Sequence, residues 1–162
     1  MREILCRGKR LDNGVWEYGD LIENQGRFFI YHATSETTIE DNDDGRIVVA
    51  AVEVDLPTVG QYTGLKDKNG EKIFEGDIVK WDDQSSGRYW RFAVVRIDPD
   101  IQFDCSPIDC INGMFNSSRY NFRYACFAYK DTDNYLSVIG NIHDNADLIK
   151  IDEIDLIKID EI

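Results

Sequence analysis

Tight-turn signals separate short β-branched and aromatic runs along this chain, and no segment carries a sustained apolar stripe at helical spacing. An all-β fold built from hairpins, with little helix, is the architecture that pattern permits. The strongest signal is Asn69-Gly70, closing a polar turn over residues 66–70 between β-prone runs at 59–63 and 72–81. A second hairpin is expected around Asp12-Asn13-Gly14, which separates residues 4–11 from 15–22, because glycine suits the positive φ of tight turns. Residues 28–32 and 47–54 are further strand candidates, with a polar acidic turn at 41–45 between them.

Beyond residue 81 the pattern weakens. Residues 88–97 read as a strand that ends at Asp98-Pro99-Asp100. Residues 104–118 mix Cys, Ser, Pro, Asn, Gly and Asp and read as a long loop. The last two strands are expected at 122–129 and 136–142, joined through residues 131–134. The C-terminus holds an exact duplication: residues 147–154 recur unchanged as 155–162. Its Ile and Leu residues fit neither amphipathic template, so a poorly ordered tail is expected. One β domain is therefore read over residues 1–146, with two small sub-barrels at about 1–58 and 59–146 as the alternative division.

The chain carries 18 basic and 31 acidic residues, for a net charge of −13. Without the six acidic and two basic residues of the duplicated tail, residues 1–146 still carry −9. Nonspecific attraction to nucleic acid or anionic lipid is disfavoured over such a surface, and any anion site must be local. No stretch is long and apolar enough to span a bilayer. The basic N-terminus lacks the apolar core of a signal peptide, so a cytoplasmic location is expected. Cys6, Cys105, Cys110 and Cys126 include no C-x-x-C pair, and with only His32 and His143 beside them neither a metal site nor a cofactor is expected. Reduced, inert thiols are the simpler reading.

Phosphate-loop, dinucleotide, zincin and nucleophile-elbow motifs are all absent. The acidic run at 40–44 lacks the ligand spacing of an EF-hand and reads as a solvated turn. One constellation stands out in so acidic a chain. Arg88, Tyr89, Trp90 and Arg91 form one Arg-aromatic run, and Arg119, Tyr120, Arg123 and Tyr124 belong to another. Rings stack on nucleobases and guanidinium groups grip phosphate, so these eight residues are the candidate ligand contacts. Alternation on a strand places Arg119 and Arg123 on one face and Tyr120 and Tyr124 on the other, so the runs would have to cooperate as paired strands or across a subunit boundary. The simpler alternative is aromatic core residues with arginines on the wet face, paired to carboxylates.

Three segments resemble a known family in content, order and spacing. They are Arg7-Gly-Lys-Arg-Leu-Asp-Asn-Gly-Val-Trp-Glu-Tyr-Gly-Asp20, Val59-Gly-Gln-Tyr-Thr-Gly-Leu-Lys-Asp-Lys-Asn-Gly-Glu-Lys-Ile-Phe-Glu-Gly-Asp-Ile-Val79 and Val138-Ile-Gly-Asn-Ile-His-Asp-Asn145. Together they resemble the YopX family of small phage and prophage proteins, over about residues 2–149, with residues 84–135 matching loosely. The resemblance implies an all-β fold with barrel-like, SH3-like parts and a phage or prophage setting, and it supplies no catalytic residues. Gly60, Gly64, Gly70 and Gly76 are read as turn and close-approach positions, Tyr62 and Phe74 as core, and Asp77 as a turn acceptor. The function expected is noncatalytic: an accessory protein in the bacterial host cytoplasm that sequesters a nucleotide-like host molecule. The alternatives are an oligomeric module that binds a host protein, an acidic mimic of DNA and a nucleotide hydrolase. Homo-oligomers are expected, because small β domains close open strand edges against copies of themselves.

Overall fold

The computed structural model describes residues 3–31, 40–41, 47–48, 51–83, 89–105, 108–109, 116–117, 120–123 and 132–149. At 40–41, 47–48, 82–83, 89–91, 108–109, 116–117, 120–123 and 149 the description covers the backbone alone. In chain order the strands are β1 (Cys6–Lys9), β2 (Trp16–Asn24), β3 (Arg27–Tyr31), β4 (Glu40–Asp41), β5 (Ile47–Val48), β6 (Val52–Glu53), β7 (Gly60–Lys66) and β8 (Lys72–Phe74). They continue as β9 (Asp77–Asp83), β10 (Tyr89–Ile97), β11 (Ile101–Cys105), β12 (Ile108–Asp109), β13 (Asn116–Ser117), β14 (Tyr120–Arg123) and β15 (Ser137–Asn141). Helix among the described residues amounts to one turn, α1 (Thr132–Tyr135), and 3-10 turns at Leu56–Thr58 and Ala146–Ile149. The all-β expectation holds. The chain divides into two compact units, Met1–Tyr62 and Thr63–Ile162.

In the first unit β6, β3, β2, β1 and β7 lie side by side in that order. The expected hairpin around Asp12-Asn13-Gly14 forms, with Lys9 opposite Trp16 and Arg7 opposite Tyr18. Gly14 has φ +71 and donates its N–H to the Arg10 carbonyl, while Asn13 Oδ1 accepts from the Val15 N–H. A hairpin absent from the expected set follows: β2 turns into β3 through Gln25 and Gly26, with φ 54 and 75. Both central residues take the positive φ of a type I′ turn, and a glutamine in that role gives little sequence warning. β3 pairs with β6, matching Phe29 with Glu53 and Ile30 with Val52. β4 and β5 form a short antiparallel pair, and of the turn expected at 41–45 residues 42–45 lie outside the described residues. Ile30 and Val54 are buried here, each stabilising the fold by about 1.5–3 kcal/mol relative to exposure. Gly19 permits the tightest approach: a Cβ there would lie 2.0 Å from the Tyr31 carbonyl oxygen.

β7 runs past Tyr62 into the second unit, where Thr63–Lys66 turns through Asn69-Gly70 into β8, as expected. The expected strand at 72–81 is corrected: it is two strands, broken at Glu75-Gly76. Gly76 has φ +83, which a continuous strand cannot contain, and Asp77 Oδ2 accepts the Phe74 N–H at 2.7 Å to close the turn. A five-stranded antiparallel sheet follows in the order β14-β11-β10-β9-β15. Val79 and Trp81, Ala93 and Val95, and Phe103 and Cys105 form the alternating inner face, closed by Ile73 and Leu136. Ile78, Phe92 and Val94 on the opposite face are buried too. That accounts for the poor alternation at Phe92–Val95, since a stretch buried on both faces has no polar side.

The long-loop reading of 104–118 is also corrected. Asp98-Pro99-Asp100 is a hairpin turn, and β11 returns from it in register with β10, taking Asp104 and Cys105 into the sheet. β12 and β13 form a short antiparallel pair inside the same stretch. The strand expected at 122–129 is described only as β14, four residues that begin two positions earlier, and 124–130 lie outside the described residues. The 136–142 strand appears as β15, preceded by α1 in place of a simple turn. Within the duplicated tail, residues 147–149 belong to the last 3-10 turn and 150–162 lie outside the described residues.

Asp67 ties these pieces together. Its carboxylate is 1% exposed and accepts from the Asn69 N–H (2.8 Å), the Glu71 N–H (3.0 Å), Asn69 Nδ2 (3.3 Å) and the Val138 N–H (3.0 Å). Asp67→Ala leaves three backbone donors without this acceptor and is expected to cost about 3 kcal/mol or more, read as a lower denaturant midpoint. Asp67→Asn turns an amide N–H toward donors and is expected to fall between that variant and the wild type. Wild-type stability in both variants contradicts the role given to this carboxylate.

A smaller effect belongs to the surface of the first unit. The Arg27 guanidinium bonds both Glu53 oxygens and holds the Glu53 carboxyl below its ordinary value of 4.5, chiefly through the hydrogen bond. A depressed folded-state pKa contributes stability above the ordinary value and loses it as pH falls through the folded one. The pair is exposed and salt-screened, so the contribution is small. Glu53→Gln is expected to lower the unfolding midpoint slightly at neutral pH and to leave it unchanged in acid well below 4.5. An equal loss at both pH values means the ion pair is not its source.

Candidate functional site

The two Arg-aromatic runs fall on strands of one sheet but not on neighbouring strands. Tyr89, Trp90 and Arg91 open β10, and Tyr120 and Arg123 bound β14; Arg88, Arg119 and Tyr124 lie outside the described residues. β11 separates the two strands, a spacing of roughly 10 Å. They are also displaced along the sheet. Tyr89, Trp90 and Arg91 pair with Asp83, Asp82 and Trp81 of β9, whereas Tyr120 and Arg123 pair with Cys105 and Gln102 of β11, level with Ala93 and Arg96 of β10. Direct pairing, the arrangement in which the runs would share a face, is therefore not how the sheet is built.

The polar residues of the family-like segments have definite structural tasks. Asp67 and Asp77 accept from backbone N–H groups as described above. At the end of β15, Asn141 Oδ1 accepts from the His143 and Asp144 N–H groups at 2.9 and 3.0 Å, and Asn145 Oδ1 accepts from the Asn141 N–H at 3.2 Å. Gly140 is required beneath that turn, since a Cβ there would lie 2.3 Å from Asn145 Oδ1. Tyr62 and Phe74 are buried, in line with their reading as core. In the first segment Gly8 packs on Val54 and Val59, where a Cβ would already stand 3.2 Å from each side chain. Arg10 is held by Asp12 through two hydrogen bonds and lies 3.7 Å from Glu17.

Four residues of that first segment form a different arrangement, one the sequence reading did not single out. Arg7 and Lys9 occupy alternate positions of β1, and Trp16 and Tyr18 occupy the facing positions of β2, Lys9 opposite Trp16 and Arg7 opposite Tyr18. The Arg7 guanidinium lies 4.8 Å and the Lys9 ammonium 5.5 Å from the Trp16 ring centroid, both within cation–π range. Alternation puts these four side chains on the side of the hairpin opposite Gly8 and Gly19, which face Val54, Val59 and Ile30. Exposure is graded across the group: Arg7 is buried, Lys9 and Trp16 are half-buried, and Tyr18 is 42% exposed. The sequence signal was available. Arg-x-Lys and Trp-x-Tyr on the two arms of a hairpin must meet on one face once its register is known.

No group of three His, Cys, Asp or Glu side chains that could hold a metal ion occurs among the described residues. Among the same residues no helix is long and apolar enough to cross a membrane.

Comparison with known proteins bears on both fold and family. No curated protein matches the chain significantly. Among solved structures it is similar to protein EF1440 from Enterococcus faecalis, at 21% identity and a TM-score of 0.52, over 93% of this chain and 100% of that one. At that identity the likeness concerns the fold alone. A family model described as YopX protein matches residues 7–150, a span that takes in the hairpin of β1 and β2, the β7–β8 turn and β15. The chain belongs to the YopX family.

Proposed function

We propose that this chain is a noncatalytic accessory protein of a phage or prophage that works in the bacterial host cytoplasm by holding a nucleotide-like host molecule. The phage setting is what the resemblance to the YopX family implies. What supports binding over chemistry is the use made of the polar residues in the family-like segments. Asp67, Asp77 and Asn141 accept from backbone N–H groups that the turns would otherwise leave unsatisfied. A carboxylate surrounded by such donors serves as a structural acceptor. Cations placed against aromatic rings, in turn, suit stacking and charge recognition. Self-association through open strand edges is part of the same reading.

Incubating the purified chain with ribonucleotides and divalent cations tests the reading, with native mass spectrometry to count ligand and subunits and chromatography to detect product. Stoichiometric retention of unaltered nucleotide by an oligomer is the expected result. Turnover that disappears on one substitution in a stably folded variant overturns the noncatalytic assignment, and a monomer mass at micromolar concentration removes self-association.

A further inference from the structure

We infer that Asn13-Gly14, at the turn between β1 and β2, is a site of spontaneous modification, in which the Gly14 nitrogen closes on the Asn13 side chain and ammonia leaves, while the same dipeptide at Asn69-Gly70 is held inert. The inference is independent of the binding reading and rests on hydrogen-bond geometry at the two turns.

The chemistry belongs to the dipeptide. The backbone nitrogen that follows an asparagine lies within reach of its Cγ, and glycine presents that nitrogen with no side chain in the way. The N–Cγ bond forms, the Cγ–Nδ2 bond breaks, and the proton lost by the glycine nitrogen passes through water to the departing ammonia. Water then opens the cyclic imide at either carbonyl. Asparagine and water thus become aspartate or isoaspartate and ammonia, and water is the one co-reactant.

Three Asn-Gly pairs occur in the chain, and Asn112-Gly113 lies outside the described residues. The other two share their general setting. Asn13 and Asn69 are both exposed, Gly14 and Gly70 have φ +71 and +84, and a Cβ at either glycine would meet nothing within 4 Å. The attacking N–H is engaged alike, Gly14 donating to the Arg10 carbonyl at 2.9 Å and Gly70 to the Asp67 carbonyl at 3.0 Å.

What differs is where the side chain is turned. Asn13 Oδ1 accepts from the Val15 N–H at 2.9 Å, two residues on, so its amide lies forward across the Gly14 peptide and Cγ is brought toward the nitrogen that attacks it. Negative charge gathers on Oδ1 as the new bond forms, and the Val15 N–H is already donated to that atom. Asn69 is turned the opposite way, its Nδ2 donating back to Asp67 Oδ2 at 3.3 Å. Its leaving nitrogen is held beside a carboxylate, which repels the charge that would develop on the neighbouring oxygen. The Asn69 and Glu71 N–H groups donate to the same carboxylate, as does the Val138 N–H 71 positions away, so freeing this turn breaks bonds to a buried group shared with a distant strand. The bonds at Asn13, Gly14 and Val15 stay within residues 10–15. Modification at Asn13 takes the chain from −13 to −14, and the isoaspartyl product adds a methylene to the main chain in the turn that sets Lys9 opposite Trp16.

Incubation of the full chain at mildly alkaline pH, folded and in concentrated urea, tests the inference. After digestion the peptides carrying Asn13 and Asn69 are followed by mass spectrometry, with isoaspartate distinguished from aspartate by fragmentation. In the folded chain Asn13 is expected to convert faster than Asn69 by about tenfold or more. In urea the two rates are expected to converge, since the dipeptides are the same once the turns are gone. Asp67→Asn, with its folded fraction established by melting curves, is expected to speed conversion at Asn69 and to leave Asn13 as it was. Asn69 converting as fast as Asn13 in the folded wild type overturns the inference. So does an excess at Asn13 that persists undiminished in urea, because sequence context and not turn geometry is then its cause.

Discussion

The carboxylate of Asp67 is the interaction on which the second unit depends. It is fully buried and belongs to a tight turn, yet one of its oxygens reaches Val138, 71 positions away, while the other closes the turn on Asn69 and Glu71. Burying a charge is costly unless several donors converge on it, and here three backbone N–H groups and one side-chain amide do so. The adjacent Lys68 N–H donates to the Leu136 carbonyl at 2.9 Å, so two successive residues of the turn bond to the chain at the start of β15. β15 is an edge of the five-stranded sheet, and the Leu136 carbonyl just before it and the Val138 N–H within it are thereby taken up internally. The same contacts that connect distant parts of the sequence also remove a template for unwanted strand pairing.

The conspicuous segments of the sequence follow from that economy. Gly76 and Asp77 break what would be one strand into two, and the Gly76 N–H and carbonyl bond to Val95 and Ile142 respectively. Asn141 and Asn145 build the turn that ends β15, and Gly140 leaves room for it. Each of these residues is explained by backbone geometry and hydrogen bonding. In the first segment Gly8, Gly14 and Gly19 are explained the same way, and what remains after that account is a cation–aromatic face on a rigid hairpin.

Much of the fold was legible in the amino-acid sequence. Asn69-Gly70 and Asp12-Asn13-Gly14 marked their hairpins because positive φ at glycine is a local requirement that neighbouring structure does not change. The core roles of Tyr62 and Phe74 and the acceptor role of Asp77 were legible for the same reason. Residues 88–97 and 104–118 were less so. Phe92–Val95 of β10 are buried on both faces and show no alternation, and β11 begins straight after a proline-containing turn and runs into what composition alone marks as loop.

The sequence by itself determined the all-β class, the principal turns and the excess of acidic over basic residues, because these depend on propensity, φ and composition alone. Only the tertiary structure decided which cations and rings meet. That depends on strand order and register, which arise from contacts between residues far apart in the chain: β11 lies between the two Arg-aromatic runs, while the Lys9–Trp16 and Arg7–Tyr18 register gathers four residues that no single stretch of sequence places together.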